Sequence, residues 1–346
     1  MSWDERIISE EELMPYLRDP NNPTFSSQVD ALIEHQKRTW PMLADGYTAF
    51  AAVETKRIEF EDSFVIVQHN PKRVRSTAAA VDKASVEARN CFLCDESLPI
   101  EEKGIAYGYL TLVCNPFPVL DRHISIVHRG HLEQKISGNV ETLLDLAAGL
   151  SPDYFVLYNG PQCGASAPDH LHFQACSRAL LPIENTVRGG DPEAHCSVCE
   201  ETADRGLEVF TVTDAGRSVM VFRSSYVDEL APWVYSALAE LPVTQPGIEP
   251  MVNLICTYDR RQWTVYLFPR ARHRPSCFFA EGSERLIVSP GAIDMAGVIV
   301  VPEREHFDRI GPDEVRAIFS EVSLSEDEVN EITGRVCAGM GGEEVE

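Results

Sequence analysis

Two imidazoles and a carboxamide recur at every second residue of His170-Leu171-His172-Phe173-Gln174-Ala175. Side chains of an extended chain alternate between faces. As a strand, the segment turns His170, His172 and Gln174 one way and Leu171, Phe173 and Ala175 the other. A lone histidine is usually a satisfied structural residue, but three polar groups on one face make costly core, because each needs a partner when buried. The chemistry on offer is nucleophilic, since neutral imidazole attacks phosphorus. Gln174 narrows the reaction: an amide can donate a hydrogen bond to a phosphoryl oxygen but cannot supply a proton as a general acid. The leaving group must depart unprotonated, as phosphate or a sugar phosphate does with a second pKa near ~6. These residues point to cleavage of a phosphoanhydride and transfer of a nucleotidyl group through a covalent adduct on His172.

An anion needs donors. The backbone amides of Gly164, Ala165 and Ser166, in a loop rich in Gly, Pro and Ser, could hold phosphoryl oxygens, and Asn159 could contact ribose or phosphate. Against a formal charge of −24, Pro269-Arg270-Ala271-Arg272-His273-Arg274-Pro275 stands out. Arginines pair bidentately with phosphate, so Arg270, His273 and Arg274 are candidate substrate ligands. Lys72-Arg73-Val74-Arg75 admits two readings: a solvated charged face, the commoner role for such runs, or an anion-contacting loop through Arg73 and Arg75. Arg178 is a lesser candidate.

Ten cysteines include two Cys-x-x-Cys pairs, Cys91/Cys94 and Cys196/Cys199. In a cytosolic chain such pairs read as metal ligands or redox centres before disulfides. Cys91 and Cys94 have zinc-knuckle spacing and need two further ligands, with His123, His128, His131 and His170 as candidates. His131 sits in an Arg-Gly-His turn and His170 beside the nucleophile, so a closed Cys2His2 structural zinc site of Cys91, Cys94, His131 and His170 is expected. A redox pair, or no ligand at all, are the alternatives; the acids that follow Cys94 would raise its thiol pKa and disfavour redox chemistry. Cys196 and Cys199 lack obvious further partners and are evenly balanced between a second knuckle and none. The other six cysteines read mostly as small buried hydrophobes.

The elements that must position these groups follow from periodicity. Helices are expected at 9–19 and 24–44, the second with Val29, Leu32, Ile33, Gln36, Trp40 and Leu43 on one face. Strands are expected at 58–68, 108–114, 123–128, 154–158 and from His170, with a helix carrying Val140, Leu143, Leu144 and Ala147. Further strands (207–213, 218–223, 251–258, 262–268, 285–289, 296–302) and helices (227–241, 312–322, 325–337) repeat the plan without a second His-x-His. The class is α+β with mainly antiparallel sheet. The expected domains are an N-terminal helical extension (1–50), a catalytic lobe (51–180), a linker (181–205) and a second, degenerate lobe with C-terminal helices (206–346).

With 44% hydrophobic residues, the 346-residue chain can bury a large core. The net negative charge argues against a nucleic-acid partner. No apolar run reaches membrane-spanning length, and the acidic start Met1-Ser2-Trp3-Asp4-Glu5 is unlike a secretory signal, so a cytoplasmic location is expected. A homodimer is left open.

The signature His170-Leu-His172-Phe-Gln174 resembles the His-x-His-x-Gln of the galactose-1-phosphate uridylyltransferase branch of the histidine-triad superfamily. Gly164-Ala-Ser166-Ala-Pro168 is similar to that branch's Gly-x-Ser-x-Pro, with Asp169 as an extra residue. The resemblance spans roughly 55–310 and implies two histidine-triad-like lobes. It implies His172 as nucleophile, Gln174 as stabiliser of the nucleotidylated intermediate, and zinc on Cys91, Cys94, His131 and His170. The longer context, with Ser289-Pro-Gly-Ala-Ile-Asp-Met-Ala-Gly, looks most like bacterial relatives of GDP-hexose phosphorylases; those enzymes, like diadenosine tetraphosphate phosphorylases, use inorganic phosphate to release the nucleotide. A nucleotide sugar or dinucleotide is therefore the expected substrate, with phosphate or a sugar phosphate as acceptor. A hydrolase using water, or a zinc-stabilised nucleotide sensor without turnover, are the competing functions.

Overall fold

Segments rich in Val, Ile, Leu, Tyr and Phe form the strands, as their side chains suit a half-buried pleated surface. The computed structural model describes residues 1–74, 83–189, 206–245 and 247–341. Its strands are β1 (Glu54–Glu59), β2 (Phe64–His69), β3 (Gly104–Tyr107), β4 (Leu110–Cys114), β5 (Ile124–His128), β6 (Tyr154–Asn159), β7 (His172–Ser177), β8 (Leu207–Asp214), β9 (Arg217–Ser224), β10 (Val252–Asp259), β11 (Gln262–Pro269) and β12 (Val298–Val301). Nine of them form one sheet, ordered β3-β4-β5-β7-β6-β10-β11-β9-β8, and all its described pairings are antiparallel. A smaller sheet, β1-β2-β12, joins the halves again, with β12 parallel to β2. The class is α+β, as expected.

Outward from the β6–β10 seam the first half adds β7, β5, β4 and β3, and the second adds β11, β9 and β8, so β3 is the one strand without a counterpart. Val156 pairs with Cys256 and Ala175, and Asn253 pairs with Asn159 and Phe268. The second half repeats the plan of hairpin, helix and inner strand pair, without a second His-x-His.

Helices Val140–Gly149 and Val227–Glu240 cover one sheet face, burying Leu143, Leu144, Trp233 and Val234 against Phe173, Ala175 and Leu254. The other face packs β12 and the helix Pro312–Val322 through Val298, Ile318 and Phe319. Leucine- and valine-rich faces of this kind hold the fold through burial, each fully buried side chain contributing about 1.5–3 kcal/mol against exposure. Among the described residues no helix is long and apolar enough to cross a membrane.

Boundaries differ from expectation where the backbone dictates. The helix expected at 24–44 breaks at Trp40 into Phe25–Thr39 and Pro41–Ala51, because the residue before proline is driven to extended backbone. Val29, Leu32, Ile33, Gln36, Trp40 and Leu43 are all buried. The strand expected at 58–68 is a hairpin turning at Phe60–Ser63. Arg285–Ser289 joins no ladder, although Leu286 and Val288 are buried. Part of the expected linker is the helix Pro182–Gly189. The rest of it, with Cys196 and Cys199, lies outside the described residues. Cys114, Cys163, Cys176 and Cys256 are buried thiols, as read; Cys277 is half-buried.

Candidate active site and metal centre

β7 begins at His172, so His170 precedes the ladder and turns independently of the pleat. Within the strand the alternation holds. Phe173 and Ala175 enter the core, while His172 and Gln174 line a cavity of about 560 Å³.

His172 is fixed by its neighbours. The side chain of Gln134 accepts from the His172 backbone N–H at 2.8 Å and donates to the carbonyls of His172 at 3.0 Å and Asn159 at 2.9 Å. His172 Nδ1 lies 2.8 Å from the His170 carbonyl. A carbonyl only accepts, so Nδ1 carries the proton and Nε2 keeps its lone pair. Burial, the main cause, holds the His172 pKa down at about 4, and the ring is neutral near pH 7.

Gln174 is oriented by a second histidine. The Val119 backbone N–H donates to His123 Nδ1 at 3.3 Å, so the His123 proton sits on Nε2, which donates to Gln174 Oε1 at 2.7 Å. With Oε1 occupied as acceptor, Gln174 keeps its NH₂ as the donor end. Burial, then the charge of Arg73, lowers the His123 pKa to about 3. The sequence reading weighed His123 only as a metal ligand, and missed Gln134 altogether; neither role has a local sequence signal, since both partners lie on other segments.

The loop after β6 is held against the 289–297 segment. Asn159 Oδ1 accepts from Asn253 Nδ2 at 2.9 Å and from the Ala292 N–H at 2.8 Å. Gly164 has φ +112°, and a Cβ there would come within 2.9 Å of Gly291 Cα. Gly164, Ala165 and Ser166 all line the cavity. The Ala165 N–H, however, donates to the Gly160 carbonyl at 3.3 Å, so that amide closes the turn. The Ser166 carbonyl accepts from Arg89 at 3.3 Å.

The basic residues separate by place. Arg73, His273 and Arg274 line the cavity with Ser289 and Asp294. Ser289 Oγ accepts from Arg274 Nε at 2.9 Å and lies 3.1 Å from His273 Nε2. Burial, with Arg274 and Arg270 nearby, lowers the His273 pKa to about 3. Asp294, within the Ser289-Pro-Gly-Ala-Ile-Asp stretch, accepts from the N–H groups of Gly291 at 3.0 Å and Val300 at 2.9 Å; burial raises its pKa to about 6. Arg270 corrects the expectation. It is buried, outside the cavity lining, and donates to Asn253 Oδ1 and to the carbonyls of Val322, Pro290, Arg272 and His273. It braces the cavity wall. Arg178 pairs with Glu184 at 2.9 Å, away from the cavity. Arg75 lies outside the described residues.

The four expected metal ligands converge. Donor atoms of Cys91, Cys94, His131 and His170 all lie within 4.8 Å of one another. Cys91 Sγ is 3.2 Å from His170 Nδ1, and Cys94 Sγ is 3.3 Å from His131 Nδ1 and 3.6 Å from His170 Nδ1. A tetrahedral ion with Zn–S of ~2.3 Å and Zn–N of ~2.0 Å has edges of about 3.3–3.8 Å, so the group fits one. His170 Nε2 donates to the His128 carbonyl at 2.8 Å, which aims Nδ1 at the sulfurs. Burial, then Cys91, pushes the Cys94 thiol up to about 12, a cost that a bound cation removes by ligating the thiolate. Behind the pair, buried Arg6 donates to the carbonyls of Asp95 at 2.8 Å, Leu98 at 2.7 Å and Glu102 at 3.1 Å, and to that of Pro99.

Two family models match the chain. Residues 32–177 match a family model described as "Domain of unknown function (DUF4922)", and residues 192–342 match "GDPGP1-like, C-terminal domain". No curated protein matches significantly. Among solved structures, yeast Ap4A phosphorylase Apa2 in complex with Ap4A is similar at 16% identity and TM-score 0.55, over 83% of this chain and 98% of that one. Another crystal structure of Apa2 matches at 17% identity and TM-score 0.51, over 82% and 94%. The chain thus has the fold of Apa2, and its residues 192–342 match the GDPGP1-like C-terminal domain.

Proposed function

We propose that the protein is a nucleotidyltransferase of the phosphorylase type, acting on a nucleoside diphosphate sugar of the GDP-hexose kind. His172 Nε2 attacks the α-phosphorus; the P–O bond to the sugar phosphate breaks, and that phosphate leaves with the bond pair. The nucleotidyl group then passes from His172 to inorganic phosphate or a sugar phosphate, restoring the imidazole. The observation that carries the reading is the pairing of a neutral His172, protonated on Nδ1, with a Gln174 held donor-end free beside it in one cavity.

Gln174 and Ser166 would steady the phosphoryl oxygens, and Arg73, His273 and Arg274 would meet the remaining phosphate charge. Zinc is the ion that suits the Cys2His2 set, in a closed structural site. Its contribution is to fix His170, whose carbonyl holds His172 Nδ1.

The test is mass spectrometry of the protein mixed with nucleotide sugars, without and with phosphate. A mass increase of one nucleotidyl group on His172, discharged by phosphate, is expected. No adduct, or normal turnover by His172→Ala, overturns the mechanism. The likeness to Apa2, crystallised with Ap4A, favours a second substrate for the same screen, a dinucleoside polyphosphate. Product formation without added phosphate would identify a hydrolase, and nucleotide binding without any product would identify a sensor.

A further inference from the structure

The stretch Ser289-Pro-Gly-Ala-Ile-Asp294 carries a hydroxyl that this chemistry leaves unused. Ser289 lines the cavity and is half-buried. Its Oγ accepts from Arg274 Nε at 2.9 Å and lies 3.1 Å from His273 Nε2. A hydroxyl oxygen accepts twice and donates once. When His273 also donates through Nε2, both lone pairs are taken and the single O–H hydrogen is left for the cavity. The other tautomer, with Nε2 accepting from the hydroxyl, gives way when an anion arrives, because a hydrogen bond to an ion is roughly twice as strong as one between neutral groups. The wall that carries Ser289 lies over the reactive face of β7. Cys176, the next residue after His172 and Gln174 to point that way, shares a core cluster with Ala292, Met295 and Val298 of the segment that follows Ser289. His172 therefore approaches phosphorus from the strand side, and Ser289 and Arg274 stand on the opposite wall.

We propose that Ser289 is a catalytic residue that holds the phosphate on the far side of the scissile bond, first the one that leaves and then the one that accepts. The proposal rests on nucleotidyl transfer through His172. In an in-line displacement the attacking and departing atoms lie on opposite sides of phosphorus, so a nucleophile rising from β7 sends the leaving phosphate toward the 289–294 wall. As the P–O bond breaks, the bond pair and its negative charge collect on the departing oxygen. A fixed O–H donor stabilises that charge without giving up its hydrogen, which suits a site whose Gln174 supplies no proton. Discharge of the adduct is the same displacement reversed. An oxygen of the acceptor phosphate attacks from the Ser289 side, the P–N bond breaks, and the pair returns to His172 Nε2. A purely structural role, tying the 273–274 turn to residue 289, is already filled: Arg270 donates to the carbonyls of Arg272 and His273 at 3.1 Å and of Pro290 at 2.9 Å.

Calorimetry of inorganic phosphate binding to the full chain, with the rate at which phosphate discharges the His172 adduct, tests this. Ser289→Ala is expected to weaken phosphate binding about 10–100-fold, the range for one hydrogen bond to a charged group, and to slow discharge by a similar factor. Binding of GMP, which lacks the second phosphate, should be unchanged. Ser289→Thr keeps the hydroxyl and should stay close to the native values; Ser289→Cys, nearly isosteric and a weak donor, should follow Ser289→Ala, so a folding defect in one variant does not decide the result. Phosphate binding that is absent from the native protein or unchanged in Ser289→Ala overturns the assignment. So does an equal loss of GMP and phosphate binding, the mark of a structural strut. Failure of the nucleotidyl-transfer reading shows differently: phosphate binding that depends on Ser289 with no adduct on His172 keeps the phosphate donor and defeats the reaction, whereas an adduct discharged at the native rate in Ser289→Ala keeps the reaction and defeats this proposal.

Discussion

His172 and Gln174 illustrate how single atoms decide chemistry. Each is oriented through its far end, His172 by the His170 carbonyl and Gln174 by His123. Removing His123 frees the amide of Gln174 to flip while the fold keeps its strand. His123→Ala is therefore expected to lower kcat about 10–100-fold with a smaller change in KM, the pattern of an interaction made in the transition state; steady-state kinetics of the phosphate-dependent reaction checks it. Glu102 makes a separate prediction at this scale. Its folded pKa is raised from 4.5 to about 8, so between those values the unfolded chain releases a proton that the folded chain retains. The contribution of this residue to stability is intact below pH 4.5 and falls as pH rises toward about 8. Glu102→Gln removes that loss. Its melting temperature should match the native protein near pH 4.5 and exceed it increasingly up to pH 8.

At the scale of elements, loops carry the site and distant residues pin them. The 95–102 segment behind the cysteine pair hangs on Arg6, which satisfies four carbonyls. Arg6→Met strands those acceptors in the interior and should cost at least about 3 kcal/mol in denaturant unfolding, with looser metal retention. The loop after β6 meets the 289–297 segment at Gly164, where both positive φ and the approach of Gly291 exclude a side chain. Gly164→Ala should part these loops and reduce kcat/KM by tenfold or more, with the far-ultraviolet spectrum unchanged.

For the whole molecule, the shared sheet means that neither half holds the site alone. His172, Gln174 and Ser166 come from the first half, and His273, Arg274, Ser289 and Asp294 from the second. The cut between 180 and 206 suggested by the sequence severs the β6–β10 seam, so residues 1–180 expressed alone are expected to be insoluble or unfolded. Metal analysis of the intact protein should give about one zinc per chain. Cys91→Ser and Cys94→Ser should each lose it and lower the melting temperature, since binding free energy of a closed site is folding free energy. Zinc retained in full by both variants would refute the ligand set.

The sequence alone determined a good deal. Period-two alternation marked β7 and its reactive face, cysteine spacing marked half of a metal site, and apolar periodicity placed the helix near 312–322. These are local signals, carried by residues close together in the chain. Tertiary structure decided the rest. Arg270 and Arg274 are equally basic in sequence, yet one is consumed by carbonyls and the other faces the cavity, because only packing determines which donors are already satisfied. Gln134, His123 and Arg6 had no motif to reveal them: each acts on a partner that folding, not sequence distance, brings near. The proton on His172 Nδ1 is of the same kind, set by a backbone carbonyl whose direction exists only once His170 has turned toward Cys91 and Cys94.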